Sequence, residues 1–172
     1  ILGSILKLGF GFVTGGTVTI ASRPGNPKPR MIRLPDMKAV MNSMGFPGQG
    51  LEPALRRLGK AQKYKDRVLI SIAGTIEDEI FECLRRTQTH VAGIELNISS
   101  PNTTGLRIFH EPARLRGLIE GLVAEKRVPL FVKIPPWPRD EENRREIHKL
   151  AETAVDAGVD GLVVANTHPV ES

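Results

Sequence analysis

Four short apolar segments recur along the chain at a spacing typical of one strand followed by one helix. They are centred near Ile70, Leu96, Val132 and Val164, so successive centres are 26, 36 and 32 residues apart. A hairpin needs only a few residues between its strands, whereas parallel strands need a crossover of a dozen or more, usually helical. The spacing therefore predicts a parallel sheet covered by helices, the α/β class, with strands over 68–73, 94–98, 130–134 and 161–166.

The segments between these strands have the apolar periodicity of amphipathic helices. One predicted helix spans 76–87. A second begins near Pro112, because proline is tolerated at the first helical position, where its missing N–H costs nothing. A third follows the acidic run 140–142, which suits the positive end of a helix, and it closes at Gly158. The residues predicted to face the core are Ile76, Ile80, Cys83, Leu84, Thr87, Leu115, Leu118, Ile119, Leu122, Val123, Ile147, Leu150, Ala151, Ala154 and Val155.

The first fifty residues carry one further strand and two turn-rich segments. Residues 1–8 have the pattern of the end of a helix that stops at Gly9, and residues 10–19 contain a predicted strand in two parts, 10–13 and 17–19. Near the end of that strand two glycines lack side chains, so a flat ligand can approach the backbone there.

A long excursion is predicted after this strand. Residues 23–30 contain three prolines, a glycine and an asparagine, which favour consecutive turns over a polyproline recognition segment. Residues 41–46 then place Asn42 between apolar neighbours and lead into the glycine-rich stretch 47–50.

Composition excludes several other classes of protein. With 172 residues and 40% hydrophobic content, the chain can bury the core of one domain. Its single cysteine, Cys83, allows no internal disulfide. The net charge of +5 is spread over scattered Lys and Arg with only 5% aromatic residues, which indicates solvated faces rather than nucleic-acid binding. No apolar run approaches the roughly 18 residues of a membrane span, and no basic flank of a signal peptide is present.

Polar residues stand at the carboxyl ends of successive predicted strands. Thr17, Asn97, Lys133 and Asn166 each occupy such a position. A closed barrel gathers these positions around one mouth, whereas a doubly wound open sheet uses chiefly the crevice at its switch point. Because no Gly-x-Gly-x-x-Gly fingerprint follows any strand, the pattern favours an incomplete TIM (β/α)8 barrel, of which about strands 2 to 6 are present.

The richest polar segment directly follows the strand centred on Leu96. Residues 97–104 contain two Asn, two Ser and two Thr and no charge, which suits a neutral polar ligand read by donors and acceptors together. The alternative is a turn whose side chains satisfy their own backbone. Lys133 leaves two interpretations open as well. Its ammonium needs either an anionic partner such as Glu95 or a ligand that carries negative charge during its reaction, such as a reduced flavin.

Seven short motifs occur in an order and spacing typical of one enzyme family. They are Gly9 to Val13, Gly16 to Thr19, Gly25 to Arg30, Asn42 to Phe46, Asn97 to Thr103, Val132 to Ile134, and Asn166 with Thr167. Together they resemble the dihydroorotate dehydrogenases. The resemblance implies a flavin-bearing eightfold barrel with FMN as cofactor, which oxidises dihydroorotate to orotate in pyrimidine (UMP) biosynthesis.

The resemblance also implies a role for each matching residue. Ser100 matches the catalytic base that removes a proton from a substrate carbon. FMN binding is implied for Gly16, Thr17, Asn97 and Lys133, with Lys133 placed to stabilise charge on the reduced ring. No metal site is expected. Amides that both donate and accept suit an imide-like ring, and substrate binding is implied for Asn42, Ser43, Met44, Gly45, Phe46, Asn97, Asn102, Asn166 and Thr167.

The identity of residue 100 bears on the electron acceptor. Serine there resembles the quinone-reducing class of the family, whereas the classes with cysteine are soluble and use other acceptors. The resemblance therefore implies a small-molecule substrate, a quinone acceptor and a peripheral membrane location, with contact through an N-terminal segment outside this chain. A cytoplasmic location is the alternative, and no nucleic-acid partner is expected.

The chain departs from the family pattern at two positions and in length. Ser71 stands where the family usually has a flavin-contacting Asn, and Ala165 where it usually has Thr. Five strands are predicted where the barrel needs eight. Residues 1–172 are therefore expected to form a single partial FMN-binding barrel domain, truncated at both ends and inactive in isolation. The alternatives are a non-catalytic or decayed relative, and another flavin barrel that acts on a pyrimidine ring.

Overall fold

A computed structural model of the protein describes residues 2–99 and 106–169. Strands and helices alternate from residue 68 onward, as the spacing of the apolar segments predicts. The strands are β1 (Val13–Val18), β2 (Met31–Leu34), β3 (Ala39–Asn42), β4 (Val68–Ile72), β5 (Gly93–Asn97), β6 (Leu130–Lys133) and β7 (Gly161–Val163). The helices are α1 (Leu2–Leu6), α2 (Leu51–Lys60), α3 (Glu77–Thr87), α4 (Pro112–Glu125) and α5 (Glu141–Asp156).

Five of the strands form one parallel sheet. Its order is β1-β4-β5-β6-β7, and every neighbouring pair runs parallel. Successive strands of the β4 to β7 series are spatial neighbours, with a helix in each crossover, which is the repeating unit of a (β/α)8 barrel. The predicted α/β fold with an incomplete barrel is thus confirmed.

The two faces of the sheet differ in composition because successive side chains of a strand point to opposite faces. One face consists of buried aliphatic side chains that pack with the apolar stripes of the helices in a single core; its strand residues are Ile70, Ile72, Ile94, Leu96, Leu130 and Val132. The other face carries Ser71, Glu95, Asn97, Phe131 and Lys133, and the strand register places Ser71 beside Glu95 and Asn97 beside Lys133. Polar chemistry is therefore confined to the face turned away from the helices.

The helices largely follow their predicted stripes. In α4, Leu115, Leu118, Ile119 and Leu122 are buried, and Pro112 opens the helix. In α5, the Asp140 carboxylate accepts a hydrogen bond from the Asn143 backbone N–H at 2.9 Å and caps the helix.

Two residues predicted to face the core are exposed. Val155 is 56% exposed, because the buried stripe of α5 consists of Ile147, Leu150, Thr153 and Ala154 and leaves Val155 at its edge. Ile76 is 55% exposed, because it has an extended backbone and precedes α3 instead of lying in its first turn.

The predicted first and last strands have different bounds in the structure. β1 is continuous from Val13 to Val18, and Phe10 and Phe12 are exposed ahead of it. The Arg67 guanidinium donates hydrogen bonds to the carbonyls of Phe10 and Gly11, so these groups are bound to a side chain and not to a strand. β7 ends at Val163, and the predicted continuation to Asn166 is irregular.

Two elements of the excursion after β1 have no counterpart in the sequence predictions. β2 and β3 form an antiparallel hairpin that pairs Met31 with Asn42 and Leu34 with Ala39. Helix α2 follows the glycine-rich stretch, and its buried residues Leu51 and Leu58 join the core. Within the part of the chain that the structure describes, no helix is both long and apolar enough to cross a membrane.

Candidate functional site

Three of the four polar residues predicted at strand ends come together through hydrogen bonds. Asn97 is the last residue of β5, Thr17 lies near the end of β1, and Asn166 follows β7 by three residues. In a parallel sheet all carboxyl ends lie along the same edge. The barrel order therefore brings these side chains to one mouth although they are far apart in sequence.

A hydroxyl–amide group joins β1, β4 and β5. The Asn97 Nδ2 donates to Thr17 Oγ1 at 3.0 Å, and Thr17 Oγ1 lies 3.1 Å from Ser71 Oγ. Ser71 is buried in the sheet on β4, between the two outer strands of this group. Ser71, which was expected to depart from the family pattern, thus belongs to the same hydrogen-bond network, and no local pattern of residues indicated this contact.

A second group joins β5 to the segment after β7. The Asn97 Oδ1 accepts from the Ser99 hydroxyl at 2.7 Å and from the Ser99 backbone N–H at 3.1 Å. The Asn166 Nδ2 donates to Ser99 Oγ at 3.1 Å and to the Ser99 carbonyl at 3.2 Å. The Asn166 Oδ1 accepts from the Thr167 backbone N–H at 2.8 Å. Ser99, which was not among the predicted site residues, therefore lies between two that were.

Lys133 ends β6 beside Asn97 and is half-buried. Glu95, on the same face of β5, is only 5% exposed. No ion pair joins the two, and among the residues that the structure describes the Lys133 ammonium forms no ion pair at all. The alternative in which Glu95 neutralises Lys133 is therefore not realised. A cation at the mouth that pairs with no described carboxylate fits an electron-rich ligand.

Gly16 allows the close approach of β1 to β4. Its φ is +116°, and a Cβ at this position would lie 2.6 Å from the Ser71 carbonyl oxygen. An L side chain is disfavoured by both facts. The glycine was predicted to admit a flat ligand to the backbone, and the described contact is with β4; FMN binding by Gly16 stays a prediction.

The predicted substrate residues 42–46 belong to the excursion after β1, and Phe46 among them packs against the core. Asn42 is exposed at the end of β3 and forms no side-chain hydrogen bond with another described residue. Gly45 is packed against Asn26, whose N–H donates to the Met44 carbonyl at 3.0 Å. The structure therefore does not join Asn42, Ser43, Met44, Gly45 and Phe46 to the Asn97 group by hydrogen bonds.

Two predicted residues, Ser100 and Asn102, lie outside the described residues. The strand exit that leads to them is held by His110, whose Nε2 is 2.8 Å from the Ile98 carbonyl. Because a carbonyl only accepts, His110 donates from Nε2. No pattern in the sequence indicated this contact. Across residues 2–99 and 106–169, no group of three or more His, Cys, Asp or Glu side chains is arranged to hold a metal ion.

A parallel α/β sheet that gathers polar side chains at the carboxyl ends of its strands has the site arrangement of the (β/α)8 barrel enzymes. Comparison with known proteins gives the particular family. The family model described as dihydroorotate dehydrogenase matches residues 2–171. The chain therefore belongs to the dihydroorotate dehydrogenase family.

Individual relatives agree with this assignment. The chain is 38% identical over 177 residues to the dihydroorotate dehydrogenase (quinone) of Pseudomonas fluorescens strain SBW25, covering 94% of this chain and 50% of that protein. It is 41% identical over 176 residues to the protein of the same name from Marinomonas sp. strain MWYL1, covering 93% and 49%. The chain thus spans about half the length of the curated relatives that it matches.

A solved structure shows the same fold. The ligand-free dihydroorotate dehydrogenase from Eimeria tenella superposes with a TM-score of 0.83 at 32% identity, covering 98% of this chain and 55% of that one. This similarity extends the barrel assignment across nearly the whole chain, from the N-terminal helix to the segment after β7.

Proposed function

We propose that the protein containing this chain oxidises dihydroorotate to orotate in pyrimidine biosynthesis, with FMN as hydride acceptor. One observation carries the proposal: a continuous series of hydrogen bonds brings amides and hydroxyls together from four strand ends of the barrel. The series runs through Ser71, Thr17, Asn97, Ser99 and Asn166. Amides and hydroxyls together can donate to the C=O groups and accept from the N–H groups of a bound ring.

The residues present fit a flavin. Thr17 supplies a hydroxyl, Asn97 an amide and Lys133 an ammonium, all on the face of the sheet turned away from the helices. Lys133 has no carboxylate partner among the described residues, so its charge can stabilise negative charge on a bound ring. FMN, when bound, supplies the two-electron acceptor. Gly16, Thr17, Asn97 and Lys133 are the residues proposed to hold it.

The remaining residues are assigned to the substrate. Asn97, Asn102, Asn166 and Thr167, with Asn42, Ser43, Met44, Gly45 and Phe46 from the excursion, are proposed to grip the carboxylate and ring amides of dihydroorotate. Asn42 is exposed at the end of its hairpin, so its side chain is free to contact a ligand.

Ser100 is proposed as the base that takes a proton from the substrate carbon as hydride leaves. A serine hydroxyl is a weak base, and no His or Asp adjoins it in the sequence. Its activation therefore depends on a water relay or on a dry, shaped site. The His110 hydrogen bond to the Ile98 carbonyl holds the backbone two residues ahead of Ser100.

A quinone is the proposed acceptor of the second half-reaction, with peripheral association at a membrane. Serine at position 100 and the name dihydroorotate dehydrogenase (quinone) of the curated relatives support this choice. A soluble acceptor and a cytoplasmic location form the competing proposal.

The test is dihydroorotate-dependent quinone reduction by the complete protein that contains this chain. Ser100→Ala should retain bound flavin, measured by its visible absorbance, and lose at least about a hundredfold in turnover, since general-base catalysis contributes about that much or more. Ser4→Ala, an exposed serine on α1, is the matched control and should behave as wild type.

The other outcomes distinguish the alternatives. Undiminished turnover in Ser100→Ala removes this serine from its assigned role. A protein that binds flavin but oxidises no dihydroorotate indicates another flavin barrel acting on a pyrimidine ring. A protein that binds neither flavin nor orotate indicates a non-catalytic relative.

A further inference from the structure

We infer that Ser99 is a positioning residue that sets which end of the Asn97 and Asn166 amides faces a bound ring. The inference deepens the proposed function and rests on it for the identity of the ring. Ser99 is 1% exposed and lies between the two amides, 67 residues before Asn166.

An asparagine amide has two ends of similar shape and opposite hydrogen-bonding character. Rotation by a half-turn exchanges a carbonyl oxygen for an NH₂ group, and a ring with alternating N–H and C=O groups is recognised in only one of the two states. The neighbours of each amide therefore determine whether a site built from asparagines is preorganised.

Ser99 determines the state of Asn97. Its hydroxyl and its backbone N–H both donate to Asn97 Oδ1, at 2.7 and 3.1 Å. Because the oxygen is held by two donors, the NH₂ end faces Thr17 Oγ1 at 3.0 Å. One of its two protons is used there, and no other described residue accepts the second.

The same hydroxyl determines the state of Asn166. Asn166 Nδ2 donates to Ser99 Oγ at 3.1 Å and to the Ser99 carbonyl at 3.2 Å. The hydroxyl therefore donates to one amide and accepts from the other, which a hydroxyl does and an aliphatic side chain cannot. The two amide orientations are coupled through one buried group.

The hydrogen bonds that couple the two amides cross the end of β6, the strand that carries Lys133. β6 lies between β5 and β7 in the sheet, so the link from Asn97 through Ser99 to Asn166 spans the carboxyl end of β6. Both amides thereby keep fixed relative positions beside the end of the strand that carries Lys133.

The hydroxyl is not needed for the local turn. The backbone N–H of Ser99 alone closes the turn with Asn97 Oδ1, and the Ser99 carbonyl alone still accepts from Asn166. Ser99→Ala keeps both of these bonds and removes only the two made by Oγ. The substitution thus separates amide orientation from the fold of the strand exit.

The test uses the complete flavin-loaded protein and the variants Ser99→Ala and Ser99→Thr. Protection of the Asn97 and Asn166 side-chain NH₂ protons from exchange, followed by NMR of asparagine-labelled protein, reports the amide state without reference to activity. Ser99→Ala should lower this protection, because only the backbone of Ser99 still holds the two amides, and should raise the KM for dihydroorotate about tenfold with a smaller change in kcat. Ser99→Thr keeps a hydroxyl and should restore both.

A double-mutant cycle between Ser99 and Asn166 distinguishes the positioning role from a general loss of stability. In the Asn166→Ala background, Ser99→Ala should add less to KM than it does alone, because one of the groups it positions is already absent. Full additivity overturns the inference, as does unchanged NH₂ protection, and so does lowered protection with unchanged KM. Lowered protection in a protein that does not oxidise dihydroorotate overturns the proposed function instead and leaves the orienting role of Ser99 supported.

Discussion

Asn97 donates a hydrogen bond to the Thr17 hydroxyl at 3.0 Å although the two residues are 80 positions apart in the sequence. β4 lies between their strands, and its Ser71 hydroxyl is 3.1 Å from the same Thr17 oxygen. Thr17 is therefore the point at which three strand ends are joined, and substitutions there report on the site more directly than on the core.

Thr17→Val, which keeps the shape of threonine and removes its hydroxyl, should weaken FMN binding by about tenfold. A buried hydrogen bond contributes about 1 kcal/mol, and here two partners lose theirs. Thr17→Ser should stay within about twofold of wild type. Quenching of FMN fluorescence measures the dissociation constant, and Thr14→Val, at an exposed position of the same strand, is the control. Wild-type affinity in Thr17→Val contradicts the assignment.

Gly16→Ala should destabilise the fold by more than about 1 kcal/mol, because the backbone has φ +116° and the new Cβ would lie 2.6 Å from the Ser71 carbonyl oxygen. Gly11→Ala is the matched control, since nothing lies within 4 Å of its would-be Cβ. Chemical denaturation of both variants gives the difference in unfolding free energy. Equal stability would mean that β1 and β4 can separate at this point.

The periodic features of the sequence predicted most of the sheet and its helices. Alternation of apolar residues in Ile94, Leu96 and Ile98 is a local signal, and so is the four-residue spacing in Leu115, Ile119 and Val123. Strand-end positions such as Asn97 follow from that alternation alone. The residues at the barrel mouth could therefore be predicted from the sequence, because each lies at the end of a strand that is itself predictable.

The missed features depend on contacts between distant segments. The hairpin of Met31–Leu34 with Ala39–Asn42 is short and exposed, so it lacks the one-sided burial that makes alternation visible. In the sequence Ser99 cannot be distinguished from an ordinary serine in a turn, because its partner Asn166 lies 67 residues away. Helix α2 begins after a glycine-rich stretch and carries Pro53, which hid its periodicity.

The 172-residue chain expressed alone should hold no flavin and show no turnover. β1 and β7 form the two outer positions of the described sheet, and each leaves one edge unpaired. Unpaired edges and exposed apolar surface favour association. Absorbance, light scattering and a dihydroorotate assay check this together. A yellow, monomeric and active preparation would contradict it.

Cys83 should not react with thiol reagents in the folded protein at about pH 8, because the thiolate is the reactive form. Burial, with the negative charges of Glu79 and Glu82 in support, raises the pKa of this thiol to about 12. Labelling with a chromogenic disulfide should therefore proceed at the rate of unfolding and become complete in denaturant. Rapid labelling of native protein would show that the α3 face opens.

The same pKa shift has a consequence at high pH. The unfolded thiol ionises near 9.0 and the folded thiol does not, so the stabilisation from the neutral buried thiol is present below about pH 9 and is lost as the pH rises above it. Cys83→Ala should lack this part of the alkaline decline in unfolding free energy. Identical pH dependence of the two proteins would contradict the shift.

Asp160→Asn should destabilise the sheet and flatten its acid dependence. The Asp160 carboxylate accepts hydrogen bonds from the Lys126 ammonium and from the Leu130 N–H, which lowers its pKa. A lowered folded pKa stabilises the protein above the unfolded value of about 4 and ceases to do so as the pH falls through the folded value. With solvent screening at this partly exposed site, the loss at neutral pH should be about 1 kcal/mol.

Asp156→Asn is the control for this effect, since the Asp156 side chain is 65% exposed and pairs, among the described residues, with Arg116 alone at 3.4 Å. Urea denaturation from about pH 7 down to pH 2 should give wild-type acid dependence for Asp156→Asn and a shallower decline for Asp160→Asn. Because Leu130 begins the strand that ends at Lys133, the start of β6 is held by Asp160 while its other end carries the proposed cation. A steep acid transition that survives Asp160→Asn would assign the acid sensitivity to other carboxylates.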